Sequence, residues 1–244
     1  MTAVSAQIDR GRLATVAAIA AVVIAAWSWL LTGAGLDMGR IGPGLPWTLA
    51  HTAHIFAMWT AMMAAMMLPS SLPAVDRIMR GGGEPAAAVF FSAGFLSVWV
   101  AVSFAATLVQ RELEAHNLLS DALSLRSKSV AAIALVAIGL AQFGPVKQVC
   151  LGRCRALTAR VSDYPRRNRA MFGVGLSYGV FCAGCCALMM GLLFVVGVMN
   201  VAWIAILTVW MLAEKALPVG ADLARAAGLG LIAWGTLLLA PPLL

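Results

Sequence analysis

The chain has 244 residues, of which 62% are hydrophobic and only 11% are charged, whereas roughly 25% of the residues in an ordinary soluble domain carry a charge. So few charged side chains cannot cover a water-soluble domain of this length, which excludes that class. The net charge is +7, with 17 Lys and Arg against 10 Asp and Glu. Because the basic residues form no continuous stripe, we expect a lipid bilayer and no nucleic acid as partner.

Seven apolar runs are long enough to predict membrane-spanning helices, which need about 20 residues each. They cover residues 13–33, 47–69, 85–108, 129–145, 171–196, 198–217 and 222–240. The sequence therefore predicts an all-α fold, a polytopic transmembrane helical bundle of about seven spans, or six, in one domain over residues 1–244. The first run is expected to be a retained helix, because Trp27 and Trp29 stand where a signal peptide has small residues.

The basic residues predict the orientation of these spans. A cytoplasmic N-terminus leaves only four of the 17 Lys and Arg outside, namely Arg40, Arg111, Arg126 and Lys128. Residues 145–170, after the fourth span, are expected to be a basic cytoplasmic loop that anchors the topology on anionic lipid. The positive-inside rule thus predicts a multi-pass protein of the cytoplasmic membrane with its N-terminus inside.

The second span carries histidines and methionines at helical spacing. His54, Met58, Met62 and Met66 follow one another at i, i+4 steps, and His51 falls within the same arc of the helix. Imidazole and thioether groups are ligands that suit Cu(I). This face is a candidate soft-metal site, whereas Met63 and Met67 point to the other side and are expected to pack against neighbouring helices.

The fifth span gathers sulfur atoms on one side of its helix, from Cys182, Cys185, Cys186, Met189 and Met190. The second span runs inward and the fifth outward, so Met58 is expected at the depth of Cys182 and Cys186. If the two helices are neighbours, their sulfur faces can form a linear or trigonal soft-metal site, or a ladder of sites that leads outward to the histidines. The spacing of Gly175 and Gly179 indicates close helix packing and nothing more.

Two charged residues stand near the inner end of the sixth span. Glu214 has little reach, so we expect it to pair inside the bundle, and an intramembrane carboxylate is a candidate functional group. Lys215 is long enough to reach the cytoplasmic surface.

Cys150 and Cys154 are one helical turn apart in the basic segment 145–170. They form a candidate two-coordinate site, although reduced cytosolic cysteines without a role fit the pattern equally. We expect these thiols on the cytoplasmic side, roughly 20 Å from the cysteines of the fifth span.

Several short motifs occur together in a fixed order. They are Met58-Trp59, Ala65-Met66-Met67-Leu68-Pro69, Gln142-Phe-x-Pro145-x-Lys147 with Cys150 and Cys154, Gly179-x-x-Cys182-x-x-Cys185, and Glu214-Lys215. Over residues 45–217 the chain resembles a bacterial family of metal-binding integral membrane proteins that includes tyrosinase-associated copper chaperones. The resemblance implies a protein of the bacterial inner membrane that binds copper and supplies a cuproenzyme. Cys186 stands where that family often has an aromatic residue.

The leading hypothesis is a membrane protein without enzymatic activity that handles Cu(I), either as a chaperone or as a transporter. Because the sequence has no P-loop, any transfer of copper across the membrane is expected to be passive or ion-coupled. One alternative is a thiol-disulfide oxidoreductase built on the Cys182-x-x-Cys185 pair. The distance expected to Cys150 and Cys154 weighs against direct exchange with that pair. The other alternative is a structural membrane subunit whose Met and Cys residues only pack.

Overall fold

A computed structural model describes residues 3–32, 45–120 and 123–240, with side chains from residue 11 onward. The α-helices of these ranges are α1 Ala3–Leu31, α2 Leu49–Arg80, α3 Pro85–Ala115, α4 Lys128–Ala141, α5 Pro145–Arg160, α6 Asn168–Met190, α7 Leu193–Val196, α8 Val201–Ala216 and α9 Gly220–Leu239, and a short 3₁₀ helix, Val161–Asp163, follows α5. The β-structure of this part of the chain is one isolated bridge between Leu119 and Leu125. The predicted all-α fold is confirmed.

Five helical segments in the described ranges are long and apolar enough to cross a membrane: Gly11–Leu31, Leu49–Arg80, Pro85–Ala115, Asn168–Val196 and Gly220–Leu239. The pair α4 and α5, bent by 55° at its break, would make a sixth. The predicted run 198–217 forms α8, whose 16 residues rise only about 24 Å, less than a hydrocarbon core of about 30 Å. The count of seven therefore stays a prediction.

Segment 145–160 differs from the loop that its charge suggested, because it forms helix α5. Pro145 occupies the first turn, where its missing N–H costs no hydrogen bond. Lys147, Leu151 and Cys154 follow at i, i+4 and i+7 and are all buried. This narrow face packs along α6, and beside it Cys150 comes so close that a Cβ on Gly184 would lie 2.6 Å from Cys150 Sγ.

Basic segments that are distant in sequence meet at one end of the bundle. Arg12 of α1 forms an ion pair of 2.5 Å with Asp76 near the end of α2. Arg77 donates a hydrogen bond of 3.2 Å to the carbonyl of Ala159, at the end of α5. We call this the basic end. At the opposite end, Trp47 donates a 3.1 Å hydrogen bond to Glu114. The side of the membrane that each end faces remains a prediction.

Helices α3 and α6 approach each other through glycines. A Cβ on Gly175 would lie 2.0 Å from the carbonyl oxygen of Phe91, and one on Gly94 would lie 2.1 Å from that of Phe172. Only residues without a side chain allow two helix backbones to come this close. The packing predicted for Gly175 and Gly179 is confirmed, and it holds the cysteine-bearing helix firmly against α3.

Candidate functional site

Three cysteines of α6 form the centre of a buried group of sulfur atoms. The side chains of Cys182, Cys185 and Cys186 are 0%, 3% and 1% exposed. Cys185 Sγ lies 3.3 Å from Cys186 Sγ and donates a hydrogen bond of 3.1 Å to the backbone carbonyl of Cys182. Because all five cysteines of the chain are free thiols, these groups are available for metal binding or exchange.

A fourth thiol comes from α5. Cys154 is buried and lines the same cavity as Lys215 and Tyr178, which brings its thiol close to those of Cys182 and Cys185. The expected separation of roughly 20 Å is therefore wrong, because segment 145–160 folds as a helix against α6 instead of extending into the cytoplasm. We call Cys154, Cys182, Cys185 and Cys186 the thiol cluster. Cys150, by contrast, lies beside Gly184 on the half-buried side of α5.

Lys215 of α8 points at the thiol cluster and not at the surface. Its Nζ lies 2.8 Å from Cys182 Sγ, 3.0 Å from Ser70 Oγ and 3.8 Å from Met67 Sδ. Although Lys215 is long enough to reach the surface, its half-buried ammonium group contacts these three side chains instead, and Met67 does more than the packing assigned to it. One ammonium group thus joins sulfur atoms of α2 and α6, and it places a positive charge beside the thiols.

Tyr178 lies on α6, one helical turn before Cys182, and it fixes α6 against α2. Its hydroxyl donates a hydrogen bond of 2.9 Å to the carbonyl of Ser70. The rings of Phe91 and Phe95 lie 5.6 and 5.4 Å from the Tyr178 ring, a separation typical of packed aromatic pairs. These contacts restrict the movement of Ser70, which in turn holds Lys215.

A cavity of about 290 Å³ leads from the basic end to the thiol cluster. Cys154, Lys215, Tyr178, Arg77 and Arg155 belong to its lining. A second cavity, of about 250 Å³, reaches Cys185 from the side of Gln142 and Lys147. The cluster is therefore buried but can be approached from two directions.

Glu214 forms a buried ion pair with Lys147. The distance from Lys147 Nζ to Glu214 Oε2 is 2.8 Å, and the two side chains are 5% and 1% exposed. Trp210 Nε1 donates a 2.9 Å hydrogen bond to the same carboxylate, and Lys147 also bonds Gln142. The prediction that Glu214 pairs inside the bundle is confirmed, since its carboxylate is bound by Lys147 of α5 and by Trp210.

The methionine face of α2 lies deep in the core, with Met58, Met62 and Met66 all fully buried. Its depth differs from the prediction. Met67, and not Met58, is level with Cys182, because both contact Lys215. About nine residues before Met67 on α2, near Met58, the Trp59 ring lies 5.3 Å from the ring of Phe194. Phe194 follows the end of α6.

The two methionines at the end of α6 are buried as well. Met190 lines a cavity of about 260 Å³ together with Trp59 and Met63 of α2. Met189 belongs to the same core. These thioethers continue from the thiol cluster toward the end of the bundle opposite the basic end.

The histidines lie far from the thiol cluster. His51 stands edge to face with Trp47, at 5.1 Å between ring centroids. His54 is exposed, with its Nδ1 2.8 Å from the carbonyl of Ala50. The 16 residues from His51 to Met67 correspond to about 24 Å of helix, so the structure does not bring the imidazoles and the thiols together.

Within the described ranges, no group of three or more His, Cys, Asp or Glu side chains stands ready to hold a metal ion. Cu(I), however, binds to as few as two soft sulfur ligands, and thiolates and thioethers are the groups that select it. The thiol cluster and Met67 supply sulfur atoms of this kind.

Comparison with known proteins gave one family. The model of the PpoB2 family, described as a copper chaperone, matches residues 56–238. No curated protein and no solved structure matches the chain. The matched range includes the whole thiol cluster, Met67, Glu214 and Lys215, but neither His51 nor His54. Since the match covers most of the sequence, this chain belongs to the PpoB2 copper chaperone family.

Proposed function

We propose that the protein is a membrane chaperone that holds Cu(I) as cargo in the thiol cluster and passes it to a cuproenzyme. The observation that carries this proposal is the meeting of four free thiols from α5 and α6 beside Lys215 in the buried core. The family match supports a role in copper handling. Thiolate sulfur is the ligand type that distinguishes Cu(I) from the commoner hard cations.

The charge balance of such a complex explains the position of Lys215. Two thiolates and one Cu(I) ion carry a net charge of −1, which is costly to bury without a partner. The ammonium group, 2.8 Å from Cys182 Sγ, supplies the compensating positive charge. Lys215 thus favours the loaded state without being a ligand itself.

The buried ion pair of Lys147 and Glu214 acts as a positioning element in this proposal. It connects Lys147, in the first turn of α5, to Glu214, in the last turn of α8. Helix α5 also carries Cys154, and Lys215 stands next to Glu214 on α8. Removing one partner would leave an unpaired charge in the core. Glu214 therefore supports the site through the helices that it connects.

We further propose that cargo leaves along the thioethers. Met66, Met62 and Met58 on α2 and Met189 and Met190 on α6 are buried beyond the cluster. Neutral thioethers suit Cu(I) but leave its positive charge uncompensated. They would form a weak path toward the end that carries His51 and His54, where an acceptor enzyme would dock.

The long apolar helices support a location in the bacterial cytoplasmic membrane. With the N-terminus in the cytoplasm, the basic end and its cavity would open to the cytoplasm, as the positive-inside rule requires. Cargo would then enter from inside and leave on the other side.

Anaerobic titration of the purified protein with Cu(I), in competition with a chromogenic chelator, tests the proposal. Wild type should retain about one Cu(I) per chain. The combined substitution Cys154→Ser, Cys182→Ser and Cys185→Ser should abolish retention, whereas Cys150→Ser, the matched control on the same helix, should not. Full retention by the triple variant, with normal membrane insertion, would refute the thiol site.

A second candidate function is thiol-disulfide exchange. The contact between Cys154 and the cysteines of α6 removes the distance that weighed against it. Exchange would convert two thiols to one disulfide and pass two electrons to an external disulfide or quinone. Counting thiols after oxidation of the wild type distinguishes the two: a stable loss of two thiols, without copper retention, would favour the relay.

A further inference from the structure

The cavity at the basic end is lined by positive charge. Arg77, Arg155 and Lys215 all belong to its wall, and the described part of the wall contains no carboxylate. Asp76, at the same end of the bundle, is engaged in ion pairs with Arg12 and Arg80 at 2.5 and 2.8 Å.

Glu214 does not offset this charge, because its carboxylate is paired with Lys147. Arg155 donates to the backbone carbonyl of Glu214 at 2.5 Å and also to that of Leu217. Its guanidinium is thus fixed in the wall by neutral partners and keeps its full charge. A free Cu⁺ ion would be repelled on this route, since a cleft lined by one sign of charge concentrates ions of the opposite sign.

We infer that copper arrives as an anionic complex in which Cu(I) is already held by two thiolates of a small-molecule thiol. This inference rests on the proposed function. A volume of about 290 Å³ is at the lower limit of cavities that bind small molecules. A space of this size can admit the copper-bearing end of a small thiol complex but not a folded protein. The positive wall attracts such an anion, and Lys215 stands where the anion meets Cys154 and Cys182.

Transfer from this carrier is a balanced ligand exchange. Two copper–sulfur bonds to the carrier break, and two form to cysteines of the thiol cluster. The two cysteine thiols give their protons to the two departing carrier thiolates, which leave as neutral thiols. Copper stays Cu(I), and the centre made of Cu(I) and two thiolate sulfurs carries −1 before and after, so Lys215 neutralises the same local charge throughout.

Stopped-flow loading of the full chain in a nonionic detergent tests the inference. The anionic source is Cu(I) with excess glutathione, and the cationic source is Cu(I) in acetonitrile. Arg77→Gln removes one wall charge from an exposed position, outside the thiol cluster. Arg80→Gln is the matched control, because Arg80 lies one turn further along α2, at the same end and outside the cavity wall.

Arg77→Gln should slow loading from Cu(I)-glutathione about 3- to 10-fold at about 10 mM salt, and the difference should vanish near 0.5 M salt because of screening. Arg80→Gln should change the rate less than about 2-fold, and neither variant should slow loading from the cationic source. Equal rates for Arg77→Gln and wild type, or faster loading of wild type from the cation, would overturn the inference. Equilibrium Cu(I) retention, measured in parallel, decides the proposed function separately.

Discussion

Replacing Lys215 by Met tests whether its charge stabilises the loaded thiol cluster. Methionine keeps the length and the apolar stem of the side chain but removes the ammonium group, which lies 2.8 Å from Cys182 Sγ and 3.0 Å from Ser70 Oγ. The Tyr178–Ser70 hydrogen bond and the cysteines themselves are untouched by this change. The substitution therefore isolates the electrostatic contribution to Cu(I) binding.

The expected magnitude follows from Coulomb's law. At roughly 4 Å and an effective dielectric constant near 20, a unit positive charge and the −1 charge of the complex attract each other by about 4 kcal/mol. Part of this is offset, because wild type also keeps an ammonium group out of water when no copper is bound. A net loss of about 1.4 to 2.8 kcal/mol remains, which corresponds to a 10- to 100-fold weaker affinity for Cu(I).

The assay is anaerobic competition with a chromogenic Cu(I) chelator at fixed pH, on wild type, Lys215→Met and Lys215→Arg. The arginine variant keeps the charge and should lose less affinity than the methionine variant. Because the contact is half-buried beside buried sulfur atoms, the loss should change little with salt. An affinity of Lys215→Met equal to that of wild type, with an unchanged thermal transition, would refute the charge argument.

Three further outcomes are expected. Glu214→Gln should destabilise the protein by about 3 to 5 kcal/mol in thermal unfolding in detergent, because it leaves Lys147 with an unpaired buried charge. The double variant with Lys147→Met should recover much of this loss. A single variant more stable than wild type would contradict the pairing. Gly175→Ala should cost about 1 to 3 kcal/mol in the same assay, since its Cβ would lie 2.0 Å from the carbonyl oxygen of Phe91. An unchanged transition would exclude so close a contact. His54→Ala should leave equilibrium Cu(I) affinity within about 2-fold of wild type in the chelator assay, as an exposed ring about 20 Å or more along the helix from Met67 cannot share its ligand sphere.

The candidate site could be predicted only in part. The sulfur atoms of Cys182, Cys185 and Cys186 stood out because their spacing within one helix fixes their common side. The same reasoning placed Met67 with the packing residues, since helical periodicity describes one helix and not its neighbours. The sequence showed only that Lys215 is long enough to reach the surface, whereas in the structure contacts with Met67, Ser70 and Cys182 hold its ammonium group beside the thiols.

Composition and periodicity by themselves determined that this chain is all-helical, with several helices long and apolar enough to cross a membrane, and they predicted that its thiols and thioethers would bind Cu(I). These properties depend on residue type and on contacts within a few residues of the chain. The tertiary structure alone decided that segment 145–160 folds back as α5, bringing Cys154 to the cysteines of α6, and that His51 and His54 lie elsewhere. The physical reason is that helix adjacency depends on how apolar faces and glycine contacts such as Gly175 with Phe91 pack together, which is a property of pairs of helices and not of either helix alone.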